Sequence, residues 1–143
     1  MDKEIKLLTS EKSLKYYNDN EYREEIHLKY KKISISLRCC ENIVDVKPLG
    51  SVHTLDLSFC KNITDVSALG LVHTLYLISC QNITDVNALG TVHTLYLLSC
   101  QKITDVSALG SVHTLYLNHC QNLDPIQTQT THYLILTSFF CTR

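Results

Sequence analysis

Five cysteines and four histidines recur in this chain at an interval of twenty residues: Cys40, Cys60, Cys80, Cys100 and Cys120, then His53, His73, His93 and His113. Thiolates and imidazoles are zinc ligands, so the first chemistry to consider is metal binding or catalysis built on it. A third series at the same interval, Asp45, Asp65, Asp85 and Asp105, could attract cations. The periodicity argues against all three. One cysteine and one histidine per repeat make lines of ligands, whereas zinc needs a tetrahedral cage. Each cysteine sits in the same slot of its repeat, where a free thiol serves as a small buried hydrophobe. Each aspartate can accept a backbone N–H and cap the turn that follows it. No catalytic residue, metal site, disulfide framework or cofactor is expected. The histidines carry one consequence of their own. Charging a whole column would place like charges about 5 Å apart, at about 1 kcal/mol per pair even in water-like dielectric, so their folded pKa values should be depressed.

The elements that position these residues follow from one twenty-residue unit. Aligned on the cysteine, the copies read ISLRCCENIVDVKPL, LDLSFCKNITDVSAL, LYLISCQNITDVNAL, LYLLSCQKITDVSAL and LYLNHCQNLDPIQTQ. In residues 52–71 the apolar series is Val52, Leu55, Leu57, Cys60, Ile63, Val66 and Leu69. Around Leu55 the alternation is that of a strand, with leucines on one face and Thr54, Asp56 and Ser58 on the other. Past Cys60 the chain turns at Lys61 and Asn62, and Asp65 precedes a short helical or 3₁₀ piece over Val-Ser-Ala-Leu. All four glycines, Gly50, Gly70, Gly90 and Gly110, end that piece, where a left-handed residue is expected. A single unit cannot bury its own apolar face, so the copies must stack.

Length and charge bound the rest. At 143 residues and a formal net charge of −1, the chain is one domain's worth without the clustered basic excess of a nucleic-acid binder. No segment reads as a secretory signal or membrane span, so an intracellular, cytoplasmic location is expected, and the sequons at Asn62 and Asn82 read as incidental. Charge is nonetheless uneven, with eight Lys/Arg and seven Asp/Glu in residues 1–32 against five and seven in residues 33–143. Three parts follow: a lead-in over residues 1–32, the array over 33–131, and a final strand and end over 132–143. In the lead-in, Ile5, Leu8, Leu14 and Tyr17 fit one helix face, and Tyr22, Ile26 and Tyr30 fit another. Asn18 followed by Glu21 reads as the second helix's start. Two helices there would close the open end of a stack. At the other end, Asp124-Pro125 starts a turn, Tyr133 to Leu136 reads as a further strand, and the apolar Ser138 to Cys141 suggests that its phenylalanines fold over the last rung, that the chain self-associates through that end, or that a longer array is cut short.

The pattern LxxLxLxxC followed by ITDVSAL resembles the leucine-rich repeats. The cysteine resembles the subtype linked to F-box proteins, ITDVSAL is similar to the short internalin-like type, and the VHTL…CxxITDVSALG wording is similar to tandem arrays of large amoebal DNA viruses. The resemblance implies an α/β leucine-rich-repeat solenoid with a parallel β-sheet on the concave side, a short 3₁₀ or irregular convex side and an N-terminal helical cap.

Stacking converts each slot into a column of residues about 4.8 Å apart. The outward strand face, concave in that family, then carries Asp56, Tyr76, Tyr96 and Tyr116 in one column. Beside it run Arg38, Ser58, Ile78, Leu98 and Asn118, and next to those Cys39, Phe59, Ser79, Ser99 and His119. These are the slots where otherwise near-identical copies differ most. Three stacked tyrosines flanked by exposed Ile78 and Leu98 suggest an interface. The expected function is a non-enzymatic scaffold binding a protein partner through this face, with neither nucleic acid nor membrane as partner. Two alternatives stand beside it: the substrate-recognition subunit of an F-box-type ubiquitin ligase, which the resemblance implies, and a structural repeat protein with no fixed partner.

Overall fold

The computed structural model describes residues 5–123 of the chain. The expected final strand, the turn at Asp124-Pro125 and the apolar C-terminal end lie outside the described residues. Six strands follow one another: β1 (Ile5–Leu7), β2 (Lys32–Ser36), β3 (Thr54–Asp56), β4 (Thr74–Tyr76), β5 (Thr94–Tyr96) and β6 (Thr114–Tyr116). They form one sheet in chain order, every neighbouring pair parallel. From β2 onward the register advances by one repeat per strand, so Leu55 lies opposite Leu75, and Leu75 opposite Leu95. Pairing continues past the strand ends, with Leu57 N–H donating to the Tyr76 carbonyl and Phe59 N–H to that of Ile78. The chain is thus a solenoid, one repeat per rung.

The core is built from the expected slots. In the rung of β3, Val52, Leu55, Leu57, Cys60, Ile63, Val66 and Leu69 are each 1% exposed or less. The aspartates act as turn caps: Asp45, Asp65, Asp85 and Asp105 each accept the backbone N–H two residues on, at 2.8–3.0 Å. A 3₁₀ turn follows in each rung, over Lys47–Leu49, Ser67–Leu69, Asn87–Thr91 and Ser107–Ser111. The cysteine thiols sit inside this frame as free thiols. Cys60, Cys80, Cys100 and Cys120 donate to the carbonyls of Leu37, Leu57, Leu77 and Leu97 on the preceding rung, at 2.9–3.2 Å. Asn62 and Asn82 do similar work with their amides, donating to the Glu41 and Lys61 carbonyls.

The glycines depart from expectation. None has a positive φ; Gly50 and Gly70 are right-handed, at φ −67° and −61°. Their role is close approach. A Cβ on Gly70 would lie 2.5 Å from the Ala88 carbonyl oxygen on the next rung, and Gly50 and Gly90 meet Ala68 and Ala108 in the same way. The left-handed residue of each rung lies elsewhere, just before the cysteine: Cys39, Phe59, Ser79, Ser99 and His119, with φ between 56° and 65°. There the chain leaves the strand sharply. The N–H of the left-handed residue still bonds the next rung, and the following thiol reaches the previous one.

The lead-in also differs in detail. Ile5 belongs to a strand, β1, added to the edge of β2, and the helices are α1 (Ser10–Asn18) and α2 (Asn20–Lys29). Ser13 and Tyr16 form the buried face of α1, while Leu14 is 44% exposed. With Ile5 held in the sheet, the helix packs on the face that Leu8 and Ser13 define, and Ser13 Oγ donates to the Leu8 carbonyl at 3.3 Å. The start of α2 is capped by Asp19, one residue beyond Asn18, whose carboxylate accepts Tyr22 N–H at 2.9 Å. Ile26 is buried, with Tyr22 and Tyr30 packed partly buried against the same core.

Candidate interaction face

Position 56 and its equivalents end each strand and face outward, because the leucines on either side are held in the core. The three tyrosines there form a continuous ladder. The rings of Tyr76 and Tyr96 stack at 4.3 Å and 10°, and those of Tyr96 and Tyr116 at 4.3 Å and 4°. Rings stacked this closely spend their faces on one another and present edges and hydroxyls to a visitor. The hydroxyls interact as well: the hydrogen bond with Tyr96 raises the Tyr116 phenol above its ordinary pKa.

The ladder stops at Asp56, which takes the tyrosine slot on β3. One of its oxygens accepts Ser58 N–H at 2.9 Å and the other lies 3.5 Å from the Arg38 guanidinium. Arg38 is exposed and also lies over the Phe59 ring, 5.6 Å from its centroid. Two expectations about this face need correction. Ser58 is fully buried rather than exposed, and its Oγ has no hydrogen-bond partner. A small side chain between Arg38 and Ile78 on the adjoining rungs is covered by its neighbours. Ile78 and Leu98 are half-buried rather than exposed, because like side chains one rung apart shield each other. Asn118 is half-buried and Phe59 and His119 are exposed. The structure therefore brings the predicted residues onto one face, with Ser58 covered.

The histidine column lies at the strand entry. The rings of His53, His73, His93 and His113 follow one another at 4.4–4.5 Å. For the first three, Nδ1 is 3.1–3.2 Å from the hydroxyl of the threonine that follows. The first three rings are near-parallel, at 11° and 12°, and the fourth is tilted by 36°, a row of imidazoles and not the cage that a zinc ion needs. Among the described residues no group of three or more His, Cys, Asp or Glu could hold a metal. His53 and His73 have depressed pKa values. Burial is the larger cause and the neighbouring imidazole the second, so like-charge repulsion contributes less than the sequence suggests. The thiols are pushed the other way by burial, Cys60 to about 11 and Cys80 and Cys100 to about 12. A protonated thiol is a poor nucleophile and a poor metal ligand.

One cluster escaped sequence reasoning. Tyr16 of α1 lies 2.6 Å from His27 Nε2 on α2, and Ser51 of the first 3₁₀ loop lies 3.2 Å from the same nitrogen. Burial raises the Tyr16 pKa and lowers that of His27. These contacts tie the helices to the first rung. Tyr16, His27 and Ser51 share no repeat slot, so no spacing signals them.

A crystal structure of an internalin from Listeria monocytogenes is similar to this chain, with a TM-score of 0.50 and 22% sequence identity over 74% of the chain. The leucine-rich-repeat solenoid is therefore the fold. The chain spans about a third of that protein's length, 33%. No known protein family and no curated protein matches the sequence. Among the described residues, no helix is long and apolar enough to cross a membrane.

Proposed function

We propose that this protein is a non-enzymatic interaction scaffold that binds a protein partner through the outward face of its sheet. The observation that carries the reading is the Tyr76–Tyr96–Tyr116 ladder. Tyrosine gives large contact area at low entropic cost and is enriched where proteins meet. Rigid stacking lowers that cost further, because the rings are ordered before a partner arrives. Half-buried Ile78 and Leu98 border the ladder and supply apolar area. The buried cysteines and the capping aspartates are committed to holding the rungs, which leaves the variable outward columns free to carry recognition. We place the protein inside the cell, in its own or a host cytoplasm, since buried free thiols suit a reducing compartment.

The test is affinity capture from native cell extract with the wild-type chain and a Tyr76→Ala, Tyr96→Ala, Tyr116→Ala triple variant, its fold checked by circular dichroism. Partners captured by the wild type should be lost from the variant. Recovery of the same partners by both chains would refute the reading. The ubiquitin-ligase alternative rests on the sequence resemblance alone, and an adaptor of the Skp type among the captured proteins would revive it.

A further inference from the structure

Tyr76 has two ring faces, and the ladder uses one. Tyr96 covers that face at 4.3 Å. The other is turned toward the rung of β3, where the register places Asp56 opposite Tyr76. An aspartate is too short to cover a phenol ring, so the outer part of that face is left open where a fourth ring would lie. All three outward columns change on this rung. Asp56 stands for tyrosine, Ser58 for the Ile78 and Leu98 of the next two rungs, and Phe59 for Ser79 and Ser99.

Two polar groups there are incompletely used. Ser58 Oγ is buried without a hydrogen-bond partner. The second oxygen of Asp56 meets Arg38 at 3.5 Å, longer than the roughly 2.7–2.9 Å of a charge-assisted hydrogen bond. The Arg38 side chain is 53% exposed. Asp56 is also the one carboxylate in the three outward columns of the described residues.

We propose that this rung is a recognition point for an arginine of the protein partner. Its guanidinium lies on the open face of Tyr76, in the place of the missing ring, and donates to the Asp56 carboxylate. The proposal rests on the use of the sheet face argued above. A guanidinium is planar, stacks on aromatic faces and keeps its N–H donors in the plane, so it satisfies ring and carboxylate together. A lysine ammonium satisfies the charge but cannot extend a stack. Arg38 is the competitor within the chain, already drawn toward the same oxygen.

The test uses the full chain and Nα-acetyl-arginine amide as probe, with the neutral isostere Nα-acetyl-citrulline amide as control, followed by NMR of the tyrosine ring protons. Arginine amide should shift Tyr76 saturably and more than Tyr116, and citrulline amide should not. Asp56→Asn keeps an oxygen for Ser58 N–H but removes the charge; it should weaken binding about twofold to fivefold, the range of an exposed ion pair. Arg38→Ala should tighten it. Asp56→Tyr completes the ladder and should abolish the response in a chain that is still folded. Absence of a saturable Tyr76 shift, an equal response to citrulline, or unchanged affinity in Asp56→Asn would overturn the proposal. Failure here with tyrosine-dependent capture intact removes this subsite alone, whereas loss of tyrosine-dependent capture removes the wider reading.

Discussion

The sharpest prediction concerns Gly70. Its backbone is right-handed, at φ −61° and ψ −20°, where alanine is ordinarily welcome and stabilises by about 0.4–1 kcal/mol through the unfolded chain. The packing reverses that sign. An alanine Cβ would sit 2.5 Å from the Ala88 carbonyl oxygen and 3.3 Å from Thr91 Oγ1. The first contact is far inside van der Waals range and the atom it meets is backbone. That backbone is pinned, because Val92 N–H bonds Leu89 and His93 N–H bonds His73 on the rung before. Relief requires parting two rungs, an overpacking cost of about 1–3 kcal/mol. Gly70→Ala should therefore lose about 1–2 kcal/mol net, a fall of about 3–10 °C in melting temperature. Gly110→Ala is the control, since no described atom lies within 4 Å of its Cβ, and it should be neutral or slightly stabilising. Urea titration followed by circular dichroism measures both. If Gly70→Ala is as stable as wild type, the close-approach account of the glycine column is wrong.

Three further outcomes follow from the same geometry. Stability should fall between pH 7 and pH 5. The depressed folded pKa values of His27, His53 and His73 mean that the unfolded chain takes up more protons as pH drops through its own histidine value of about 6.5. Replacing His53, His73, His93 and His113 by Gln should flatten the dependence of the urea midpoint, leaving the part due to His27; an unchanged slope would remove the column from the account. Alkylation by iodoacetamide at pH 8, read by peptide mass spectrometry, should label exposed Cys39 well before Cys60, Cys80 and Cys100, whose thiols are buried and raised to about 11–12. Equal labelling in the folded chain would contradict their burial. Ser99→Gly should stabilise by up to about 1 kcal/mol, because a left-handed φ of 58° is costly for any residue with a Cβ; a destabilised variant would mean that the serine side chain holds the turn.

What the sequence made legible is what burial enforces in every copy. Leu55, Leu57, Cys60 and Ile63 recur because a solenoid interior has one shape per rung, and Asp65 recurs because each 3₁₀ turn needs the same acceptor. The tyrosine ladder follows at once from a period of twenty and parallel pairing. The glycine slot was legible but its reason was not: close approach and positive φ both demand glycine, and a letter cannot separate them. The true left-handed slot carries Cys39, Phe59, Ser79, Ser99 and His119, with neither glycine nor asparagine to mark it; at Phe59, Ser79 and Ser99 the N–H bonds the next rung while the thiol that follows bonds the previous one, which holds the turn whatever the residue. β1 was hidden for another reason. Three residues, Ile-Lys-Leu, are too few to show alternation, and their strand exists only because the edge of β2 accepts it. Ser58 shows the limit of assigning faces by alternation, since a small residue between long ones is buried on either face.

Along the solenoid axis the outward columns are graded. The middle rungs carry Tyr76 with Ile78 and Tyr96 with Leu98, while charge and polarity gather at the ends, Arg38 and Asp56 on one side, Asn118 and His119 on the other. An apolar centre with a polar rim is how protein interfaces are arranged, and drift at unconstrained positions has no reason to sort residues by rung. The dimensions then bear on affinity. Five rungs about 4.8 Å apart span about 20 Å, and four residues of strand add a width of about 13 Å. That footprint is about a third of the ~800 Å² that each partner contributes to a stable interface of standard size. A partner touching this face alone should bind weakly and exchange fast, with the tyrosines and Asp56 as its few strong points. Slow dissociation would require contacts beyond the three columns.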